Sequence, residues 1–154
     1  MKDRFIKLVF LFIFYSCTSI KYNDMAINEP LKLIAMKDSL NKSNPKLDRA
    51  LVVAYNNIGL EAIKNTDYEK ANNAFLNSQK ISKTDSLSKY SLLMIGGHKK
   101  INTGKKELLW EAIQDYYKAS SIYPLKGEPF YYIGETYLKL GDKDFDLIIE
   151  SYEK

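Results

Sequence analysis

Residues 51–64 read LVVAYNNIGLEAIK, and this stretch decides the fold. Leu51, Tyr55, Ile58 and Ala62 recur at helical spacing, so one stripe of the segment is apolar. Asn65-Thr66-Asp67 interrupts the pattern, and either Thr66 or Asp67 is able to cap a following helix. The next segment, YEKANNAFLNSQKI over 68–81, carries Tyr68, Ala71, Phe75, Ser78 and Ile81 on a second stripe. Two amphipathic helices joined by a short polar turn make a helix–turn–helix pair.

Ile58-Gly59 recurs as Ile95-Gly96 and Ile133-Gly134, at spacings of 37 and 38. Other residues keep the same register. Asn65-Thr66-Asp67 lies 37 before Asn102-Thr103-Gly104, and Asp67 lies 75 before Asp142. Each unit repeats one grammar: an apolar-periodic segment, a polar turn, a second apolar-periodic segment. Upstream, PLKLIAMKDSLNKS (30–43) places Leu33, Met36 and Leu40 at helical spacing. Pro30 suits a first helical turn, and Asn44-Pro45 reads as the end of that segment.

These residues resemble the tetratricopeptide repeat, whose first helix carries an aromatic, Leu-Gly and an aromatic, and whose second carries Ala and then an aromatic before a Pro. The first unit matches with Tyr55, Ile58-Gly59, Ala62, Ala71 and Phe75. The second matches with Leu92, Ile95-Gly96, Ala112, Tyr116, Ala119 and Pro124. The third matches with Phe130, Ile133-Gly134 and Tyr137, followed by Ile148 and Tyr152. The unit length departs from the family's, which is about 34 residues. The additions fall near Lys83–Ser86 and in GKKE, 104–107. The third second-helix is shifted and has no Ala, so it is either a degenerate end cap or the edge of a longer array.

The resemblance implies an all-α fold: antiparallel helix hairpins stacked in a right-handed superhelix. Its expected divisions are a signal segment over 1–16, a tether over 17–29, a cap helix over 30–47, and repeats over 48–154 (about 50–83, 87–124 and 127–154). Tyr55, Gly59, Ala71, Phe75, Gly96, Ala112, Tyr116, Pro124, Gly134 and Tyr137 are the expected repeat-packing residues. The small ones let paired helices approach, and the aromatics fill the space between. The resemblance also implies a concave groove lined by first helices. Its expected residues are Val53, Asn56, Leu60 and Ile63; Tyr90, Leu93, Gly97 and Lys100; and Glu128, Tyr131, Glu135 and Leu138. Such a set suits a peptide or helix of another protein. The basic clamp that some family members use for a terminal carboxylate is absent; its positions hold Asn56, Leu60, Met94, Glu128 and Tyr132.

The amino terminus is of another kind. MKDRFIK is basic, and Phe5–Tyr15 is apolar apart from Lys7. A membrane-spanning helix needs about 20 apolar residues, so this run is too short to span and suits the apolar region of a secretory signal. Ser16-Cys17 follows, with the chain's single cysteine. The arrangement resembles a bacterial lipoprotein signal peptide, with Phe14 and Tyr15 where its motif commonly holds Leu and a small residue. That resemblance makes Cys17 the lipidated mature terminus, on a protein of the cell envelope, at the outer membrane facing the periplasm. A plain signal peptide and an uncleaved amino-terminal helix are the alternatives.

Composition excludes several function classes. The formal charge is +4, and beyond residue 16 the chain holds 20 basic and 18 acidic residues. So weak a field does not point to nucleic acid, despite Tyr116-Tyr117 and Tyr131-Tyr132 as possible base-stacking pairs. One histidine, His98, makes neither a histidine metal cluster nor a relay, and it reads as a surface residue. Glu107 and Glu111 read as helix-solvating carboxylates beside Lys105 and Lys106. With no HExxH, phosphate-binding glycine loop or Gly-x-Ser-x-Gly motif, the expectation is a non-enzyme without metal or cofactor. Taken together, the two resemblances imply a lipid-anchored adaptor or assembly factor whose partner is another envelope protein. The alternatives are an envelope lipoprotein that stacks glycans or solutes on Tyr90 and Tyr131, or the first part of a longer repeat protein.

Overall fold

A computed structural model describes residues 21–37, 44–141 and 145–153. The signal segment, Cys17 and the part of the cap segment around Leu40 lie outside the described residues. The described residues are helical with short connections and contain no strand. They fall into two compact units, divided between Lys83 and Thr84.

The first unit holds α1 (21–28), α2 (Pro30–Met36), α3 (Pro45–Lys64) and α4 (Tyr68–Ile81). Residues 21–28, read above as part of a tether, are helical. Three apolar side chains are enough to dock them: Met25 and Ala26 are buried, and Tyr22 packs beside them, against Leu33, Leu47, Ala50, Leu51 and Ala54. Pro30 opens α2 at its first turn, where the missing N–H has no intrahelical partner to lose. Asn44-Pro45, read above as the end of the cap segment, begins a helix. The Asn44 side chain accepts a hydrogen bond from Lys46 N at 3.0 Å, and Pro45 occupies the first helical turn of α3.

The α3–α4 turn reads from the sequence almost completely. Thr66 adopts a left-handed φ of 58°, Thr66 N donates to Ile63 O, and Asp67 N donates to Ala62 O. This pair of bonds closes the last turn of α3 as a Schellman motif. Of the two possible caps, Asp67 is the one used: its Oδ1 accepts from Lys70 N at 3.0 Å.

The second unit holds α5 (Ser86–Ile101), α6 (Lys106–Ile122), α7 (Glu128–Leu140) and α8 (Phe145–Glu153). Asp85 caps α5 by accepting from Ser88 N at 2.9 Å. Gly141 ends α7 at φ 71°, a left-handed turn that a side chain would resist. The core joins Tyr90 and Met94 of α5, Ala112, Ile113, Tyr116 and Ala119 of α6, Ile133 and Tyr137 of α7, and Ile148 of α8.

Three hairpins, α3–α4, α5–α6 and α7–α8, share one packing device: a glycine on the first helix lies against an aromatic ring on the second. A Cβ at Gly59 would sit 2.5 Å from the Phe75 ring, at Gly97 2.5 Å from Tyr116, and at Gly134 2.7 Å from Tyr152. At Gly59 and Gly97 the facing ring is fully buried, so a methyl group there would force the packing apart, whereas at Gly134 the half-exposed Tyr152 ring can shift. In the second hairpin the residue beneath the ring is Gly97, not Gly96. Gly96 is half-exposed, and its nearest neighbour would be Asp115 Oδ2 at 3.2 Å. Both glycines face α6, and the ring of Tyr116 determines which of them is essential.

Candidate functional site

The expected groove residues divide by burial. On α3, Val53 and Leu60 are exposed at 41% and 37%, and Ile63 is half-buried. Asn56 is buried at 5%. Its neighbour Asn57 donates from Nδ2 to Ala26 O at 3.1 Å, which fixes α1 over α3. Between them, Ile27, Pro30 and Leu31 face Asn57, Ile58 and Glu61 across an open cleft of about 310 Å³. This cleft is mostly apolar, and the sequence reading did not anticipate it because it treated α1 as a tether.

In the second unit the expected residues are occupied in different ways. Tyr90 is buried at 4%, and its Oη donates to Glu128 Oε2 at 2.8 Å, tying α5 to the start of α7. Tyr123 meets the Tyr90 ring edge-on, with centroids 5.2 Å apart, and Lys126 Nζ lies 4.5 Å from the Tyr90 centroid. Burial, and then the Glu128 carboxylate, raise the Tyr90 hydroxyl above the ordinary tyrosine range. Gly97 is buried beneath Tyr116 and presents no groove surface. Leu93 packs against the core. Lys100 Nζ is 2.7 Å from Asp115 Oδ2 and 3.3 Å from Glu111 Oε2. Its hydrogen bond to Asp115 raises its pKa, and the pairing joins α5 to α6. Glu111 therefore does more than solvate its own helix.

The repeat-packing set is distributed as follows. Ala71, Phe75, Ala112, Tyr116, Gly59, Gly134 and Tyr137 are buried, Tyr55 is half-buried, and Pro124 is exposed in the α6–α7 connection.

His98 is half-buried rather than fully exposed. It shares a 2.9 Å hydrogen bond, Nδ1 to Oη, with the buried Tyr116. Its ring also meets Tyr132 edge-on, with centroids 4.3 Å apart. Tyr132 in turn stacks on Tyr116 at 5.5 Å. Burial lowers the His98 pKa, and the Glu128 carboxylate opposes that shift. A folded-state pKa below the unfolded one, about 6.5, means that the folded state resists protonation. The stability from this site is fully present above about pH 6.5 and is lost as pH falls from there through the lower folded-state pKa. A urea midpoint series from pH 7.5 to 5 should therefore decline more steeply for the wild type than for His98→Gln, which has no imidazole to charge.

From this cluster a chain of rings runs outward along α7 to α8. Tyr132 meets Tyr131 edge-on at 5.2 Å, and Tyr131 meets Tyr152 at 5.9 Å. Tyr152 Oη donates to Glu135 Oε1 at 3.1 Å. Burial and this bond raise the Tyr152 pKa. Tyr131 and Leu138 are exposed at 51% and 48%, with Glu135 between them on the same helix face. The sequence reading found Tyr131, Glu135 and Leu138 but missed His98, Tyr132 and Tyr152 as parts of one surface. The dense aromatics at 130–132 were the available signal; the contacts from α5 and α8 cross turns of differing length, which periodicity within one helix does not reach.

Among the described residues, no group of His, Cys, Asp and Glu is arranged to hold a metal ion. Nor is any described helix long and apolar enough to cross a membrane. No protein-family model matches this chain, and comparison with curated proteins gave no match either.

Proposed function

We propose that this chain is an adaptor or assembly factor of the bacterial envelope, built of tetratricopeptide-like hairpins stacked as a superhelix and held to the outer membrane by lipid on Cys17. The faces of its first helices bind a peptide or helix of another envelope protein. The observation that carries this reading is the exposure of large apolar and aromatic side chains on those helices: Val53 and Leu60 on α3, Tyr131 and Leu138 on α7. Each pair is seven residues apart, so each of these two helices presents both of its exposed apolar side chains on one face, the arrangement by which a groove takes a peptide or helix. In the first unit the proposed contact residues are Val53, Leu60 and Ile63; in the second they are Leu93, Glu128, Tyr131, Glu135 and Leu138. Asn56, Tyr90 and Gly97 support them from beneath, and Lys100 is committed to its carboxylate partners. The glycan alternative loses one of its two platforms, because the Tyr90 ring is buried against Tyr123 and Lys126.

A photo-crosslinking side chain placed at Leu60 or Leu138 in cells should trap one discrete envelope protein. Leu60→Glu combined with Tyr131→Ala should reduce the Leu138 adduct at least about tenfold while the circular dichroism spectrum is unchanged, since two apolar anchors are each worth about 1–2 kcal/mol. An undiminished adduct would remove the support for this surface. The anchor is tested separately by the intact mass of the mature chain, which should carry diacylglycerol on Cys17, and by the release of Cys17→Ser into the periplasm.

A further inference from the structure

The outer end of the α7 surface has a chemistry of its own. Tyr131 and Tyr152 present two exposed rings, their centroids 5.9 Å apart and their planes inclined at 47°. The Glu135 carboxylate stands beside them, oriented by the Tyr152 hydroxyl through Oε1. Among the described residues no lysine or arginine pairs with Glu135. Lys126 lies over other rings of this unit, those of Tyr90 and Tyr123. The local charge is also one-sided. Residues 128–154 hold seven carboxylates against Lys139, Lys143 and Lys154, in a chain whose formal net charge is +4.

We propose that Tyr131, Tyr152 and Glu135 form a receptor for an arginine side chain of the bound partner, with apolar neighbours of that arginine resting on Leu138. A cation is attracted to a tyrosine face within about 6 Å of its centroid, and two rings set at an angle offer two such faces. A carboxylate at their edge completes the recognition by accepting guanidinium N–H bonds. Arginine fits better than lysine because its planar, weakly hydrated guanidinium both stacks and forks. The site rests on the reading of the first-helix faces as the partner surface, and it adds the partner's chemistry: a basic segment with interspersed apolar residues.

The test uses the full-length chain and a capped Leu-Arg-Leu-Arg-Leu peptide. Titration at low salt should shift the ring resonances of Tyr131 and Tyr152. Replacing both arginines by citrulline, which keeps the shape and removes the charge, should weaken binding at least about fivefold. Glu135→Gln should weaken the arginine peptide by a similar factor and leave the citrulline peptide unchanged. Tyr152→Phe, which keeps the ring, should retain binding to within about twofold. Equal affinity for the arginine and citrulline peptides, an unaffected Glu135→Gln, or no binding at all would each overturn the arginine site. These outcomes differ from failure of the adaptor reading, which shows as a Leu138 adduct that survives Leu60→Glu with Tyr131→Ala.

Discussion

Gly97→Ala should destabilise the second unit by about 3 kcal/mol, the upper part of the ordinary range for overpacking a filled core. Its neighbour Gly96→Ala should change stability by less than about 0.5 kcal/mol. The two substitutions are chemically identical and adjacent. They differ in what the new methyl meets. At position 97 it enters the Tyr116 ring at 2.5–3.0 Å from three ring carbons, and Tyr116 is fully buried, so the ring moves only by displacing its own neighbours. At position 96 it meets a single carboxylate oxygen at 3.2 Å, which a small rotation of Asp115 relieves. The gain in helix propensity from replacing glycine, roughly 0.5–1 kcal/mol, offsets that rotation. Thermal melts followed at 222 nm would separate the pair: about 3 kcal/mol corresponds to a fall of roughly 10–20 °C in a domain of this size. Equal melting temperatures would mean that the α5–α6 packing described above is wrong.

Tyr116→Ala should cost still more, about 3–5 kcal/mol, because it empties the largest fully buried side chain among the described residues. Tyr116→Phe keeps the ring over Gly97 and loses only the hydrogen bond to His98. Its expected cost is about 1 kcal/mol. The decisive measurement is the cycle that combines the two alanines. With Tyr116 already removed, the Gly97→Ala methyl has space to enter and brings its helix propensity, so the second substitution should become neutral or mildly stabilising. The coupling energy would then be about 3 kcal/mol, the large end of values for touching residues. Additive costs would show that Gly97 matters for some reason other than the ring. Phe75 over Gly59 presents the same geometry in the first unit.

Much of the helical grammar was legible because it depends on local chemistry. The breaker Asn65-Thr66-Asp67 was visible as polar residues between apolar-periodic runs, and the cap at Asp67 follows from its side chain and position. The pairing of a first-helix glycine with a second-helix aromatic was legible in type, since both belong to the repeated pattern. The exact glycine in the second unit was not. Gly96 and Gly97 are one helical step apart, and only the ring that arrives from α6 distinguishes them. The helix over 21–28 was illegible for a related reason: Met25 and Ala26 form no long apolar run and become a buried surface only when Leu33 and Leu47 are beside them.

The candidate site shows the same division more sharply. Tyr131, Glu135 and Leu138 share a face of one helix, so their association needs only helical periodicity. Tyr152 reaches Glu135 from another helix, across a turn, and His98 reaches Tyr132 across two. Tyr90 and Tyr131 looked equivalent as exposed aromatics, yet one is buried under a carboxylate bond and the other is half in solvent. By itself the sequence determined that this chain forms helices in repeated pairs, where they turn, and which faces are apolar, because periodicity and capping act within a few residues. Only the tertiary structure decided which glycine lies beneath a ring, which tyrosines remain on the surface, and which carboxylate stands beside them. Those depend on contacts between helices whose spacing in sequence varies with the length of the turns.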